Sequence, residues 1–208
     1  MPSTQQRTPY PVAARELLRN TLLDAACEQL QSHRWADVTM ADVAVAAGVS
    51  RQTLYKEFRS RNAFVQALVL REVDRFIDPV ARSIAEHVDD PRAAVSAALD
   101  VFLMAAASHP LIRTVVAGDG TDELLRLFTT QGSPVLNRAV SRLAGILLEG
   151  WPQVARADAE LFAECMVRLA VSLAALPDSP TGMTADSIAS LFAPYIEQIL
   201  GVSAPSTT

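Results

Sequence analysis

Apolar residues recur with a helical period along most of this 208-residue chain. Between residues 13 and 33, Leu18, Leu22 and Leu30 belong to a broad apolar stripe that predicts one long helix. The same period returns in four later segments, residues 91–108, 134–150, 157–176 and 184–200. Because no long segment alternates apolar and polar residues as a strand does, we predict an all-α protein of about nine helices.

A pair of short helices joined by a tight turn is predicted between Thr39 and Phe58. Thr39 and Ser50 are favourable N-cap residues for the two helices, and Gly48 can adopt the positive φ that ends the first. Leu54 and Phe58 lie four residues apart on the second helix and form its buried face. The polar residues of that helix then face outward: Arg51, Gln52, Thr53, Tyr55 and Lys56. This layout is typical of a helix-turn-helix whose second helix enters the DNA major groove.

The segment GVSRQTLYKEF, followed by RSRNAF, resembles the DNA-binding signature of the TetR family of bacterial repressors. The resemblance extends over about residues 17–70. It implies that residues 50–57 form the recognition helix, in which Gln52, Thr53 and then Arg51 contact base edges. Glutamine can form two hydrogen bonds with adenine, and arginine can do so with guanine.

The resemblance also implies contacts with the DNA backbone. Tyr55 and Arg61 stand at family positions that bind phosphate, and Lys56 can do the same. Thr39 and Ser50 begin helices, and helix N-termini attract phosphate.

Glu57 departs from the family pattern, which often has histidine at this position. A carboxylate would repel phosphate, so we do not expect Glu57 to contact DNA. We expect it either to orient Arg59 or Arg61, or to face away from the DNA.

The charge is unevenly distributed along the chain. The total is −5, but residues 1–61 carry eight basic and six acidic side chains, whereas residues 62–208 carry ten and seventeen. A locally positive head on an acidic body favours specific DNA binding with weak non-specific attraction. It argues against a protein that coats nucleic acid generally.

Composition divides the chain into four parts. Residues 1–12 are polar and hold three prolines, which predicts a disordered arm. We then expect a helix-turn-helix DNA-binding domain over 13–60, a helical effector-binding and dimerisation domain over 61–202, and a tail over 203–208.

Two prolines fall inside apolar helical patterns. Pro79 and Pro194 are expected to kink or end their helices. A further helix is predicted over 122–131. No signal peptide precedes residue 10 and no run of eighteen apolar residues occurs, so we expect a cytoplasmic protein with no membrane partner.

The last two predicted helices have apolar faces that are wide for the surface of a monomer. In the TetR family, these helices pair with their symmetry mates in a four-helix bundle. The resemblance therefore implies a homodimer, which also suits a two-fold DNA operator. The expected interface residues are Leu161, Leu169, Leu173, Ile188, Leu191, Phe192, Tyr195 and Ile199.

TetR-like bodies bind small molecules between their middle helices, so the resemblance implies an effector pocket. The candidate lining residues are Phe102, Leu103, His109, Leu111, Arg113, Val115, Leu124, Phe128, Leu143, Leu147, Phe162 and Met166. For each apolar one, ordinary core packing is the competing interpretation. An aliphatic set with few aromatics favours a lipophilic effector such as an acyl chain or other hydrocarbon. His109, Arg113 and Arg126 are candidate anchors for a carboxylate head group.

Enzymatic chemistry has little support in the sequence. It contains no G-x-S-x-G, no H-E-x-x-H and no P-loop, and its three histidines are scattered. Cys27 and Cys165 have no metal-binding spacing; buried thiols are the simpler interpretation and a redox pair the alternative. We therefore predict no catalytic residue, no metal site and no cofactor.

Together these patterns predict a TetR-like repressor that binds a pseudo-palindromic DNA operator as a homodimer and is released by a small effector. One alternative is a TetR-like activator or a DNA-binding protein that responds to no ligand. The other is a ligand-binding or interaction module without DNA binding, against which the polar face of residues 51–55 argues.

Overall fold

The structure is a computed structural model that describes residues 10–116, 132–176, 178 and 180–201. Within these residues every regular element is an α-helix, which confirms the predicted all-α class. The nine described helices are α1 (Tyr10–Ser32), α2 (Met40–Ala46), α3 (Arg51–Phe58), α4 (Arg61–Glu86), α5 (Pro91–Ser108), α6 (Pro110–Val116), α7 (Ser133–Gly150), α8 (Arg156–Ala175) and α9 (Ala185–Leu200).

The head consists of α1, α2, α3 and the first half of α4. Its core is centred on Trp35 and Phe64, both fully buried, and the Phe58 and Phe64 rings meet edge to face with centroids 4.9 Å apart. Leu22 from α1 and Leu54 from α3 are also fully buried in this core. Because α1, α2 and α3 share one core with α4, the head cannot reorient without moving the start of α4.

The body is built from α4, α5, α7, α8 and α9 around a second core. α4 packs against both α5 and α7, while α8 packs on α7 and α9 packs on α5. Arg138 and Arg142 of α7 both pair with Asp74 of α4, at 2.9 and 3.2 Å. The indole N–H of Trp151 donates to the Val88 carbonyl at 3.0 Å and ties the end of α7 to the α4–α5 turn.

α4 connects the two cores. It is 26 residues long, which corresponds to roughly 39 Å at 1.5 Å per residue. We expected Pro79 to kink or end it, but the helix continues to Glu86. A proline inside a helix costs about 3 kcal/mol, and the burial of Ile77, Val80 and Ile84 offsets that cost. Pro194 likewise lies inside α9, which continues to Leu200.

One of the described helices, α5, is long and apolar enough to cross a membrane by length and composition alone. In this structure it lies against α4 and α9 instead. Its Ala94, Leu99 and Ala106 side chains are buried in the protein. The predicted bounds of this helix, residues 91–108, match the structure, with Asp90 as the N-cap and Pro91 in the first turn.

Several sequence-based expectations need correction. Tyr10 already begins α1, so the predicted arm over 1–12 is wrong for its last three residues. Leu17, which continues the predicted apolar stripe, is 69 % exposed because its face of α1 lies outside the head core. Cys27 is half-buried but Cys165 is exposed, so the buried-thiol interpretation fails for Cys165. The predicted helix over 122–131 and the tail over 203–208 lie outside the described residues.

Candidate DNA-binding surface and effector cavity

The start of α2 is fixed by a reciprocal cap. The Thr39 hydroxyl accepts from the Asp42 N–H at 3.2 Å, and the Asp42 carboxylate accepts from the Thr39 N–H at 2.9 Å and its hydroxyl at 2.6 Å. The hydrogen bonds from the Thr39 side chain and backbone hold the pKa of Asp42 below its ordinary value. The predicted cap is therefore confirmed, and the phosphate role of Thr39 stays a prediction.

The turn between the two helices depends on backbone conformation. Gly48 has φ +67°, and a Cβ added there would meet no atom within 4 Å. Glycine is therefore needed for its left-handed φ and not for lack of space. The Val49 N–H donates to the Ala44 carbonyl at 2.9 Å and closes the turn.

The recognition helix α3 presents the predicted polar face. Ser50 caps it by accepting from the Thr53 N–H at 3.1 Å, and the two hydroxyls are 2.9 Å apart. Arg51, Gln52 and Lys56 are exposed, whereas Thr53 and Tyr55 are half-buried. The Arg51 guanidinium lies 5.4 Å from the Tyr55 ring centroid. Gln52 and Arg51 are thus the predicted base-contacting residues whose side chains are most open to solvent.

Glu57 lies on the opposite side of the recognition helix and faces α1. Its carboxylate pairs with Arg15 at 2.9 Å and with Arg19 at 3.3 Å, and its side chain is only 8 % exposed. Arg19 also stacks over the Phe58 ring, with its guanidinium carbon 4.5 Å from the centroid. Glu57 therefore faces away from the exposed side of α3, as the second of the two expectations has it. Its partners Arg15 and Arg19 are on α1, about forty residues away in sequence.

Arg61 has an internal role that its sequence position did not reveal. Its guanidinium donates to the backbone carbonyls of Val38 at 2.7 Å and Trp35 at 3.3 Å, and its carbon lies 4.8 Å from the Trp35 ring centroid. These contacts hold the 35–38 loop against the start of α4. The proposed phosphate contact of Arg61 stays a prediction.

A cavity of about 520 Å³ opens in the body among α4, α5, α7 and α8. Six of the predicted effector-contacting residues line it: Phe102, Leu111, Leu143, Leu147, Phe162 and Met166. Leu103, His109 and Arg113 are not part of the described wall. The side chains of Val115, Leu124 and Phe128 lie outside the described parts of the chain.

One wall of the cavity was missed by the sequence analysis. α4 contributes Val69, Glu72, Val73, Phe76, Ile77, Val80 and Ile84 to the lining. The apolar period of α4 predicts only a buried face, because a helix that faces a cavity has the same period as one that faces a solid core. Val69 of this wall and Leu111 of α6 both line the cavity and also belong to the head core.

Glu72 is the charged residue buried in that wall. It is 4 % exposed and accepts hydrogen bonds from Arg71 and His109. Burial alone would raise the pKa of Glu72, but those hydrogen bonds and the positive charges of Arg71 and Arg75 overcome this and lower the pKa to about 2. The carboxylate is therefore ionised at neutral pH although it is buried.

Two residues of the candidate dimer face on α8 and α9 are exposed in the single chain. Leu191 is 73 % exposed and Leu161 is also exposed. Leu169, Leu173, Phe192, Tyr195 and Ile199 are half-buried within the chain. Ile188 is 1 % exposed and packs in the body core, so its assignment to the interface is wrong. Among the described residues, no group of three or more His, Cys, Asp or Glu side chains is arranged so that it could hold a metal ion.

Two family models match this chain. Residues 22–68, which include α2, α3 and the start of α4, match the bacterial regulatory proteins of the tetR family. Residues 90–194 match the C-terminal domain of the bacterial tetracyclin repressor. The chain belongs to the TetR family of bacterial transcriptional regulators. It is a helix-turn-helix regulator from a family that binds operator DNA as dimers.

The similarity to one group within the family extends over nearly the whole chain. The HTH-type transcriptional regulator AlkX of Mycobacterium tuberculosis is 35 % identical over 193 residues, which cover 93 % of this chain and 92 % of that protein. The crystal structure of the TetR family repressor AlkX from Dietzia sp. strain DQ12-45-1b superposes with a TM-score of 0.77 at 35 % identity, covering 88 % of this chain and 96 % of the other.

A more distant structure supports the fold alone. A TetR-family regulator from Pectobacterium atrosepticum is 19 % identical with a TM-score of 0.55, covering 96 % of this chain and 99 % of the other. Two relatives that match over shorter spans, EthR and LfrR of Mycolicibacterium smegmatis, are an HTH-type transcriptional regulator and an HTH-type transcriptional repressor.

Proposed function

We propose that this protein is a repressor that a lipophilic small molecule releases from its operator. One observation supports this most directly: α4 forms a wall of the body cavity and also carries part of the head core. Phe64 and Leu68 on its first half are fully buried in the head, while Phe76 and Val80 on its second half line the cavity. A ligand that moves the second half of α4 must also move the head.

The chemistry of the wall indicates the class of effector. Aliphatic and aromatic side chains make up most of the lining, including Leu99, Leu143 and Phe162. A volume of about 520 Å³ falls within the range of about 300–1,000 Å³ that drug-sized ligands occupy. We infer an acyl chain or another hydrocarbon as the effector.

The relative from Dietzia adds independent support for this class of effector. That protein is a TetR family repressor implicated in the biodegradation of n-alkanes. A regulator of hydrocarbon metabolism would need to sense a hydrocarbon or one of its products. The apolar cavity of the present chain suits such a signal.

On the DNA side, we propose that a cytoplasmic homodimer places one α3 in each of two major grooves. Gln52 and Arg51 contact bases. Five further residues contact the phosphate backbone or support such contacts: Tyr55, Lys56, Thr39, Ser50 and Arg61. The half-sites are then pseudo-palindromic and about one helical turn, or a multiple of it, apart. The effector must bind the DNA-competent and released states with different affinity, because equal affinity would shift nothing.

A titration of the protein–DNA complex tests this proposal. The protein is bound to an operator fragment that it selects from random DNA, and dodecane, dodecan-1-ol or dodecanoic acid is added. We expect at least one of the three to weaken operator binding, and decanediol, a more polar chain, to do so less. If all three leave operator affinity unchanged, a lipophilic effector of this size is excluded.

A variant that fills the cavity gives a second test. Ala98 lines the cavity from α5, whereas Ala107 is exposed on the same helix. Ala98→Phe is expected to keep operator binding and lose the response to the lipid, because the new ring occupies ligand volume. Ala107→Phe is the matched control and should respond as the wild type does. Equal responses of the two variants would place the effector elsewhere.

A further inference from the structure

A cluster of polar side chains lies where the head meets the body. We call it the junction cluster, and it consists of Asp24, Cys27, Arg71, Glu72, Arg75 and His109. Asp24 and Cys27 come from α1 of the head, the next three from α4, and His109 from the corner between α5 and α6. The cluster therefore joins three elements that the sequence separates by as many as 85 positions.

Glu72 is the centre of the junction cluster. Its Oε1 accepts from Nε and Nη2 of Arg71 at 3.0 and 2.8 Å, and from Nη1 of Arg75 at 3.3 Å. Its Oε2 lies 3.1 Å from Nε2 of His109. Both carboxylate oxygens are thus occupied, one by cations on α4 and the other by the α5–α6 corner.

The arginines extend the junction cluster to the head. Arg71 donates to the Asp24 carboxylate at 2.9 Å and to the Asn20 carbonyl at 3.1 Å, and Arg75 donates to Asp24 at 2.7 Å. The Cys27 thiol lies 3.5 Å from Oε1 of Glu72. Burial and the nearby Glu72 carboxylate raise the pKa of Cys27 to about 12, so it is a thiol. It donates weakly to Glu72 and accepts weakly from Nη2 of Arg71 at 3.5 Å.

The histidine extends the junction cluster to the cavity. The His109 ring packs on Phe76 with centroids 4.8 Å apart, and Phe76 packs on Phe102 at 5.6 Å. Phe76, Phe102 and Glu72 itself all line the cavity. Nδ1 of His109 is buried and has no hydrogen-bond partner among the described residues, so within them the bond to Glu72 is the hydrogen bond that this ring makes. A ligand that displaces Phe76 therefore moves His109 against Glu72.

We propose that Glu72 is a positioning residue that transmits occupancy of the cavity to the DNA-binding head. This inference rests on the proposed function, because it assumes that a ligand in the cavity regulates DNA binding. If the His109 contact is lost, the buried Glu72 carboxylate keeps only its arginine partners. The Glu72 side chain must then reorganise to give its free oxygen a new partner. Since those arginines hold Asp24, their movement shifts α1 and with it the packing of α3.

Stability alone does not account for this arrangement. A buried ionic network loses much of its Coulomb attraction to desolvation, and apolar side chains of similar volume are often as stable or more so. The residues about one helical turn before and after Glu72 on α4 are Leu68 and Phe76, and both are apolar. A network with two sets of partners provides the discrete alternative arrangements that coupling between sites requires.

The experiment measures coupling separately from binding. Trp151 lines the cavity, so its fluorescence reports binding of dodecan-1-ol. Operator affinity is measured with and without saturating dodecan-1-ol. The ratio of these two affinities gives the coupling between ligand binding and operator binding. Couplings of this kind are typically about 5–150-fold. Because Glu72 lines the cavity, the concentration of dodecan-1-ol that saturates Glu72→Gln is set from the fluorescence titration of that variant. At that concentration we expect a ratio close to one.

Asp74→Asn is the matched control. Asp74 is also an ion-paired carboxylate on α4, but its partners Arg138 and Arg142 are both in the body. A merely structural role of Glu72 would lower the melting temperature in both variants and leave both ratios at the wild-type value. That result would overturn the inference.

His109→Phe decides the question if Glu72→Gln does not fold. It keeps a ring against Phe76 and removes only the hydrogen bond to Glu72, so the buried carboxylate retains both arginines. We expect dodecan-1-ol to bind to His109→Phe but to weaken its operator binding less than it weakens that of the wild type. A wild-type ratio in this variant would contradict the inference. If dodecan-1-ol does not release the wild type from its operator, the same comparison uses dodecane or dodecanoic acid, whichever does. If none of the three changes operator affinity, the proposed function itself fails and this inference with it.

Discussion

Replacing Arg61 with methionine separates two roles that the sequence and the structure assign to the same side chain. The sequence resemblance implies a phosphate contact, whereas the structure shows hydrogen bonds to the Val38 and Trp35 carbonyls and a stack on the Trp35 ring. Methionine keeps much of the aliphatic stem and removes the guanidinium. Any loss therefore reports on the hydrogen bonds and the stack.

The expected loss of stability follows from these contacts. A hydrogen bond to a charged group contributes about 1.5–3 kcal/mol, and we take the low end for each because the Trp35 bond is 3.3 Å long. The stack adds about 0.5–1 kcal/mol. The sum is about 3–4 kcal/mol of unfolding free energy. For a chain of about 200 residues this lowers the melting temperature by roughly 6–16 °C.

Two measurements on the same variant distinguish the roles. Thermal unfolding at fixed protein concentration, followed by circular dichroism, measures the internal role. The salt dependence of operator binding measures the phosphate role, because a dimer that loses two phosphate contacts loses about 2 from its slope of log K against log salt. Lys56→Met, on the exposed face of α3, is the control for removing a cation without touching the core.

We expect Arg61→Met to lower the melting temperature as calculated and Lys56→Met to leave it nearly unchanged. An unchanged melting temperature combined with a reduced salt slope would refute the internal role. A lower melting temperature with an unchanged slope would instead remove Arg61 from the proposed phosphate contacts.

Four further predictions follow from the site and the surfaces. Tyr55→Phe keeps the half-buried ring and removes only the hydroxyl, so operator binding should weaken about 2- to 10-fold on all sequences; affinity equal to wild type would show that the hydroxyl does not bind phosphate. Gln52→Ala should relax preference at one base position by about 1–3 kcal/mol, measured by binding to a set of single-base operator variants, and a uniform loss over all positions would argue against a base contact. Leu191→Glu should convert the dimer to monomer in sedimentation, with Met104→Glu, equally exposed on α5, as the control that stays dimeric; a dimeric Leu191→Glu protein would move the interface elsewhere. Because the pKa of Glu72 is lowered from 4.5 to about 2 in the folded protein, its contribution to the free energy of unfolding is complete above about pH 4.5 and is lost as pH falls towards 2. In urea unfolding, Glu72→Gln should therefore lose about 3 kcal/mol less stability on acidification than the wild type, and parallel pH profiles of the two proteins would contradict this.

Features of the fold that depend on neighbouring residues could be predicted from the sequence. The caps at Thr39 and Ser50 use partners three residues away, and the bounds of α5 follow from Asp90, Pro91 and the break at His109. Each of these signals is complete within one turn of helix, so the sequence contains the whole interaction. The same holds for Gly48 in the turn.

Features that depend on distant residues could not be predicted. Glu57 pairs with α1 across 42 positions, and Glu72 pairs with His109 across 37. Nothing near either carboxylate in the sequence indicates its partner, so the sequence alone predicts neither ion pair. Ile188 failed for a different reason: an apolar period shows that a helix face is buried, but not whether its own chain or a partner buries it.

The position of Val69 and Leu111 in both the head core and the lining of the cavity has a consequence for the design of hybrid regulators. These two side chains belong to the head core and to the cavity at once, so the head and body of this chain are not interchangeable modules with a boundary at residue 60. A head transplanted from a relative at that point would sit on a foreign α4 and a foreign α5–α6 corner. A hybrid that exchanges residues 10–86 together with 109–112 keeps the head core, the junction cluster and the α4 wall of the cavity as one matched unit.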